Sequence, residues 1–227
     1  MSKPSPQDIV RAVLDLYGTT FCRELAIAVE EGNNPSLFQL LCVSSLFTDR
    51  IDWVTTLGTA RLLKKRGIID TPQRLAASSY DELSQIFREA GYVLYNFDEL
   101  MSRRLLKMAA GVFDRYNGDL NDLRRRAGNV PDKERNLMNE FEGMGDASVG
   151  FFCREIQGVW EEFYPFIDHK AMDAARELGL PDDSAELASL CSRRDFPRFA
   201  SGLVRVGLKW DYERIFDKAR QLQTAGV

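Results

Sequence analysis

An all-α protein is predicted, built as two helical lobes around a cleft. Three observations point there. Apolar residues recur at helical spacing almost throughout, no apolar/polar alternation persists as it would in a sheet, and most helical stretches are bounded by caps, prolines or glycines. With 227 residues, 44% hydrophobic and 28% charged, the chain can bury a sizeable core and has no disordered composition.

Ser5-Pro6-Gln7-Asp8 opens the first helix with a Ser cap, Pro in the first turn and an acid behind it. That helix covers 8–17 and stops at Gly18; a second is expected over 20–31, ended by Gly32-Asn33-Asn34-Pro35. The very apolar stretch 37–47 is too short to cross a bilayer and reads as a buried central helix. Helices follow over 51–66, closed by Gly67, and 81–90, closed by Gly91. Over 97–116, Met101, Leu105, Met108 and Val112 share one buried face, and Arg103, Arg104 and Lys107 fall largely off it. Further helices are expected over 120–127, 132–141, 146–157, 170–178, 184–192, 196–206 and 210–223. The expected divisions are N-terminal helices (1–34) packing with a C-terminal lobe (159–227), and a helical barrel domain between them (35–158).

Net charge is −4, whereas a dedicated DNA-binding domain is usually basic. The sum hides a distribution: between Met101 and Arg135 nine Lys/Arg stand against five Asp/Glu, and acids gather at Glu30, Glu31, Glu161 and Glu162. Cys22, Cys42, Cys153 and Cys191 are far apart with no C-x-x-C spacing, so reduced thiols are expected and no metal or other cofactor. No signal-peptide pattern opens the sequence and no apolar run approaches the roughly 20 residues of a membrane span. A cytoplasmic monomer without membrane contact is expected, nucleoid-associated if bacterial or archaeal.

The informative stretch runs from Leu137 to Val149, where Gly143-Met144-Gly145 joins two amphipathic helices in a helix-hairpin-helix over about 134–157. A Gly-x-Gly hairpin reverses the chain tightly and leaves backbone N–H groups bare at the start of the second helix. Those groups and the helix dipole suit a phosphate. A plain structural turn uses the same residues, and so short a motif leaves both readings open.

Its context resembles the endonuclease III superfamily of helix-hairpin-helix DNA glycosylases. Leu37-Phe38-Gln39-Leu40-Leu41 through Ser44-Ser45-Leu46-Phe47-Thr48-Asp49 looks like that family's early buried helix and its Ser…Thr-Asp turn. Leu62 to Gly67 and Ser79 to Leu83 resemble the helices that follow, and Phe87 to Tyr92 with Tyr95-Asn96 the loop that probes the duplex. Glu142 to Ser148 falls where the DNA-gripping hairpin belongs, and Phe166-Ile167-Asp168-His169-Lys170 resembles the stretch bearing the catalytic aspartate. The order and spacing hold over about 35–180.

The resemblance implies a base-excision repair glycosylase acting on double-stranded DNA. The target nucleotide is flipped out of the stack, and a carboxylate stabilises the positive charge that builds on the sugar as the N-glycosidic bond breaks. Asp168 is the expected catalytic carboxylate; read without the resemblance it is foremost a helix N-cap, and one residue can serve both roles. DNA contacts are expected from Gly143, Met144, Gly145, Ala147 and Ser148, from Tyr92 and Tyr95, from Arg124 and Arg125, and from His169 and Lys170. Trp160, Tyr164 and Phe166 are expected to line the base pocket. Each has a structural alternative: aromatics at helix junctions pack in cores, Arg124-Arg125-Arg126 and Arg103, Arg104 and Lys107 are solvated helix faces, and the sole histidine, His169, is an exposed helix start.

Four departures refine the expectation. Bifunctional members carry a lysine nucleophile where this chain has Ala147, so a monofunctional, hydrolytic enzyme without lyase activity is expected. The cysteine ligands of the family's iron–sulfur cluster have no counterpart, so no cluster is expected. Glu142 replaces the usual Pro, placing an acid beside the phosphate site, and Leu46 replaces a polar residue that contacts the opposite base. The alternatives are a glycosylase-like protein that binds DNA or lesions without chemistry, and a helical protein unrelated to DNA.

Overall fold

The computed structural model describes residues 4–47, 51–92 and 96–225, and every regular element in them is helical. Contacts divide the chain into two units. Unit 1 joins Met1–Glu24 to Cys153–Val227, and unit 2 is Leu25–Phe152. Both joins come earlier in the chain than the expected ones at 34 and 158.

In chain order, α1 (Pro6–Tyr17) and α2 (Phe21–Glu24) precede a 3-10 turn, Val29–Glu31. Unit 2 continues with α3 (Asn34–Leu46), α4 (Trp53–Lys65), α5 (Pro72–Ala76), α6 (Tyr80–Glu89), α7 (Phe97–Tyr116), α8 (Leu120–Ala127) and α9 (Pro131–Asn139). Helix α10 (Asp146–Ile156) contains the second join. A 3-10 turn, Glu161–Phe163, then leads to α11 (His169–Glu177), α12 (Ser184–Ser189), α13 (Phe196–Lys209) and α14 (Tyr212–Ala225).

The single helix expected over 20–31 does not form. Helix α2 ends at Glu24 and Ala26 adopts φ +53°. Leu25, Ile27 and Val29 are buried, while Ala26, Ala28 and Glu30 are exposed. The chain turns at Ala26 and enters a 3-10 turn at Val29, so alternate residues face inward as they would not along one continuous helix. Helix α5, not expected from the sequence, is five residues started by the Thr71 hydroxyl, which accepts from Arg74 N–H at 3.1 Å, with Pro72 behind it.

In unit 2, α3 is the central helix. Asn33 caps it, accepting from Ser36 N–H at 3.0 Å, and its residues from Ser36 to Leu46 are buried except Gln39. Its neighbours are α4, α7 and α8, and the long α7 also packs on α5 and α6. Helix α7 closes on Asn117 and Gly118, both left-handed, and Asp119 immediately caps α8.

In unit 1, α1 packs on α13 and α14, and α11 packs on α13. Small residues bring these helices together: Ala171, Ala174 and Ala175 form the buried face of α11, and a Cβ on Gly207 of α13 would stand 3.5 Å from that of Ala174. Where α13 meets α1, a Cβ on Gly202 would lie 2.8 Å from Val13 Cγ1 and 3.3 Å from the Tyr17 carbonyl oxygen. No helix among the described residues is long and apolar enough to cross a membrane. Gly202→Ala is therefore expected to separate α1 from α13 and lower the unfolding free energy by about 1–3 kcal/mol in urea titration, as overpacked cores do.

Candidate functional site

The hairpin forms between α9 and α10. Phe141 N–H donates to the Met138 carbonyl at 3.1 Å and Met144 N–H to the Phe141 carbonyl at 3.0 Å, so the chain winds once more beyond α9 before it turns. Gly143 sits at φ +93°, a left-handed conformation that a side chain strains. Met144 is buried in the turn and its N–H is already donated to Phe141, so neither its side chain nor its amide is presented to an anion. The Gly145 carbonyl accepts from Val149 N–H at 2.9 Å and starts α10. A Cβ on Gly145 would meet nothing within 4 Å, and Asp146 beside it is exposed. The turn is anchored from behind: the Ser148 hydroxyl lies 3.3 Å from the Phe47 carbonyl and 3.4 Å from that of Gly143, and Phe47 stacks on Phe151 at 4.2 Å. Ala147 is half-buried in the first turn of α10.

Helix α7 brings cations to this turn. The Arg104 side chain runs along Gly143, its Cδ 3.0 Å from where a Cβ would be. Lys107 pairs with Glu142 at 2.6 Å. That hydrogen bond, with the charges of Lys107, Arg103 and Arg104 behind it, holds the Glu142 carboxyl below the usual carboxylate range. Glu142 is thus turned onto α7. Arg103 is exposed nearby, so three cations of α7 lie near Glu142, and Asp146 is a second acid at the turn. Spacing places these three residues off the buried face of α7, but their nearness to a hairpin thirty-odd residues away is a tertiary fact.

Arg125 pairs with Asp119 and Asp122 at 3.5 and 3.3 Å, and Arg126 with Asp122 at 2.9 Å. Arg124 is half-buried. Acids of α8 and its cap thus balance much of this basic run. Tyr92 lies in the core of unit 2 at 1% exposure, its ring 5.1 Å from Phe87, so its ring has no surface to present to DNA. Tyr95 falls outside the described residues.

In unit 1, Asp168 caps α11: its Oδ1 accepts from Ala171 N–H at 2.9 Å. Its Oδ2 pairs with Arg154 of α10. The aspartate is 8% exposed and Arg154 1%. Arg154 also contacts Glu155, Nε to Oε1 3.4 Å, and lies over the Phe21 ring, 5.3 Å from its centroid. The approach to Asp168 is fixed by Gln157, unremarked in the sequence. Its Oε1 accepts from Phe166 N–H at 2.9 Å, and its Nε2 donates to the Phe166 carbonyl at 3.1 Å. His169 and Lys170, next to Asp168, are exposed.

Trp160, expected in a base pocket, is instead core at 1% exposure and stacks on Phe163 at 6.2 Å. Phe166 meets Phe163 edge-on at 6.3 Å, and Tyr164 meets Phe196 of α13 edge-on at 5.5 Å beneath the Arg193 guanidinium. Both are part-exposed. Among the described residues no group of three or more His, Cys, Asp or Glu could hold a metal ion.

No protein family matches this sequence, and no curated protein does. Among solved structures, a trapped endonuclease III–DNA covalent intermediate in its estranged-adenine complex is similar, at 16% identity and a TM-score of 0.47 over 89% of this chain and 85% of that one. A likeness this distant assigns no residue a role.

Two measurements check the geometry. Gly143→Ala strains a left-handed residue and crowds Arg104, and is expected to lower unfolding free energy by about 1–3 kcal/mol. Asp168→Ala removes a cap and one partner of a buried guanidinium, and a loss of about 3–5 kcal/mol is expected in denaturant titration.

Proposed function

We propose that this chain binds duplex DNA through the α9–α10 hairpin and releases a flipped base by hydrolysis, with Asp168 as the carboxylate that stabilises the sugar cation. The observation that carries the reading is the hairpin itself: a glycine turn open at Gly145 where α10 starts, with Arg103, Arg104 and Lys107 of α7 beside it. Backbone donors orient a phosphate and the cations add affinity that does not depend on sequence.

Base release follows from ordinary glycoside chemistry. The C–N bond breaks, its electron pair leaves with the base, and water adds to the anomeric carbon, its proton passing to the base. A fixed carboxylate lowers the barrier by opposing the positive charge on the sugar. Asp168 has two donors in place, which leaves part of a carboxylate's roughly four acceptor sites for a reacting water. Ala147 supplies no amine, so no covalent imine forms there and the product is an intact abasic strand. Asp168 leaves no doubt about its anchoring, however, and that favours a second reading, DNA or lesion binding without base release: both its oxygens are engaged and it is 8% exposed.

Three assays separate the readings. Duplex affinity that falls steeply with salt is expected; salt-independent or absent binding removes DNA from the account altogether. On a panel of lesion-bearing duplexes, strand breaks are expected only after hot alkali, and Asp168→Asn is expected to bind but not release. Binding with no alkali-sensitive site on any duplex supports the second reading, and breaks without alkali contradict a hydrolytic enzyme. Glu142→Gln frees Lys107, and should tighten duplex binding severalfold and steepen the log–log salt slope by about one; unchanged affinity and slope place the DNA away from this turn.

A further inference from the structure

Glu155 has no part in the chemistry above, yet it is buried and fully engaged. Its Oε2 accepts from Cys22 N–H at 2.8 Å, and its Oε1 accepts from the Ser201 hydroxyl at 2.7 Å and faces Arg154 Nε at 3.4 Å. Arg154 pairs through its Nη1 with Asp168 Oδ2. Two carboxylates therefore share one guanidinium. A second guanidinium, Arg205 of α13, lies 3.9 Å from the centroid of the same Phe21 ring and pairs with Glu24 of α2 at 2.7 Å. Its Nε donates to the Thr19 carbonyl at 3.2 Å. Three acids (Glu24, Glu155, Asp168) and two guanidiniums (Arg154, Arg205) leave this array one negative charge in surplus.

Alone beside Asp168, Arg154 would cancel the field that a cationic sugar needs. Glu155 draws on the same guanidinium and restores a net negative charge, in an interior where water does not screen it. We infer that Glu155 and Arg154 are positioning residues for Asp168. Glu155 fixes the guanidinium, the guanidinium fixes one carboxylate oxygen, and the charge of Glu155 leaves Asp168 able to stabilise a cation. The inference rests on the base-release reading for its purpose, but its geometry can be tested apart from activity.

The test uses the full chain with Glu155→Gln, Arg154→Lys and Ser201→Ala. Glu155→Gln removes the charge and keeps one acceptor oxygen for Cys22 N–H, while its new amide group can donate to the Ser201 hydroxyl oxygen. Single-turnover base release is expected to slow at least about tenfold while duplex affinity stays within about twofold, the pattern of an interaction made in the transition state. Arg154→Lys keeps the charge without the planar fork, and should slow release while leaving affinity unchanged. The Ala171 amide resonance, which reports the Asp168 cap, should move in Glu155→Gln and, less far, in Ser201→Ala. Release by folded Glu155→Gln within about twofold of the parent overturns the inference, as does an Ala171 resonance unmoved in both variants. If the parent releases no base while that resonance moves, the base-release reading fails and the positioning geometry stands. Should Glu155→Gln not fold, Ser201→Ala supplies the resonance readout and Arg154→Lys the release readout, and an unmoved Ala171 resonance or unchanged release there overturns the inference.

Discussion

Arg154 is enclosed in protein with a carboxylate on either side, Glu155 and Asp168, and a charge so placed is tolerable only while both neighbours hold their positions. Much of unit 1 is organised around that requirement. Glu155 is held by the backbone of Cys22 and by Ser201 of α13, and Asp168 is held by the first turn of α11. Four segments must therefore reach a common register for one guanidinium to be satisfied. Such an array adds little net stability over a well-packed apolar core. What it does here is penalise misplacement of any one segment.

The hairpin of unit 2 follows a related logic at the surface. Glu142 satisfies Lys107, and Phe141 lies under the Arg115 guanidinium at 4.3 Å, so the turn carries charge in compensated pairs and aromatic contacts. A chain of net charge −4 can thus keep a locally basic edge. Total charge is a poor guide to a surface on which a few cations of one helix gather at a single turn.

Local chemistry explains which parts were legible in the sequence. Helices α7 and α8 lie where spacing and stop signals place them, because Asn117-Gly118-Asp119 both ends one helix and caps the next. The Asp168 cap was readable for the same reason. A helix over 20–31 is suggested by the apolar run Leu25-Ala26-Ile27-Ala28-Val29, whereas the left-handed turn at Ala26 that ends α2 carries no glycine or proline to mark it. Trp160 and Tyr92 were given to a ligand because aromatic residues serve cores and sites alike, and only packing decides between them. The pairs Arg154–Asp168 and Lys107–Glu142 left no sequence trace, since each joins a helix to a turn or cap that only the fold brings beside it.

Unit 1 is assembled from both ends of the chain, with all of unit 2 lying between them in sequence. During synthesis α1 leaves the ribosome before unit 2, but the helices it packs on, α13 and α14, are made after it. Its apolar face, Ile9, Val10, Val13 and Tyr17, must wait uncovered while more than a hundred residues are translated. Unit 2 is contiguous and has its partners at hand much sooner. The order of folding in the cell is thereby biased: unit 2 matures first, and the early α1 is exposed to chaperones and to aggregation until α13 and α14 emerge.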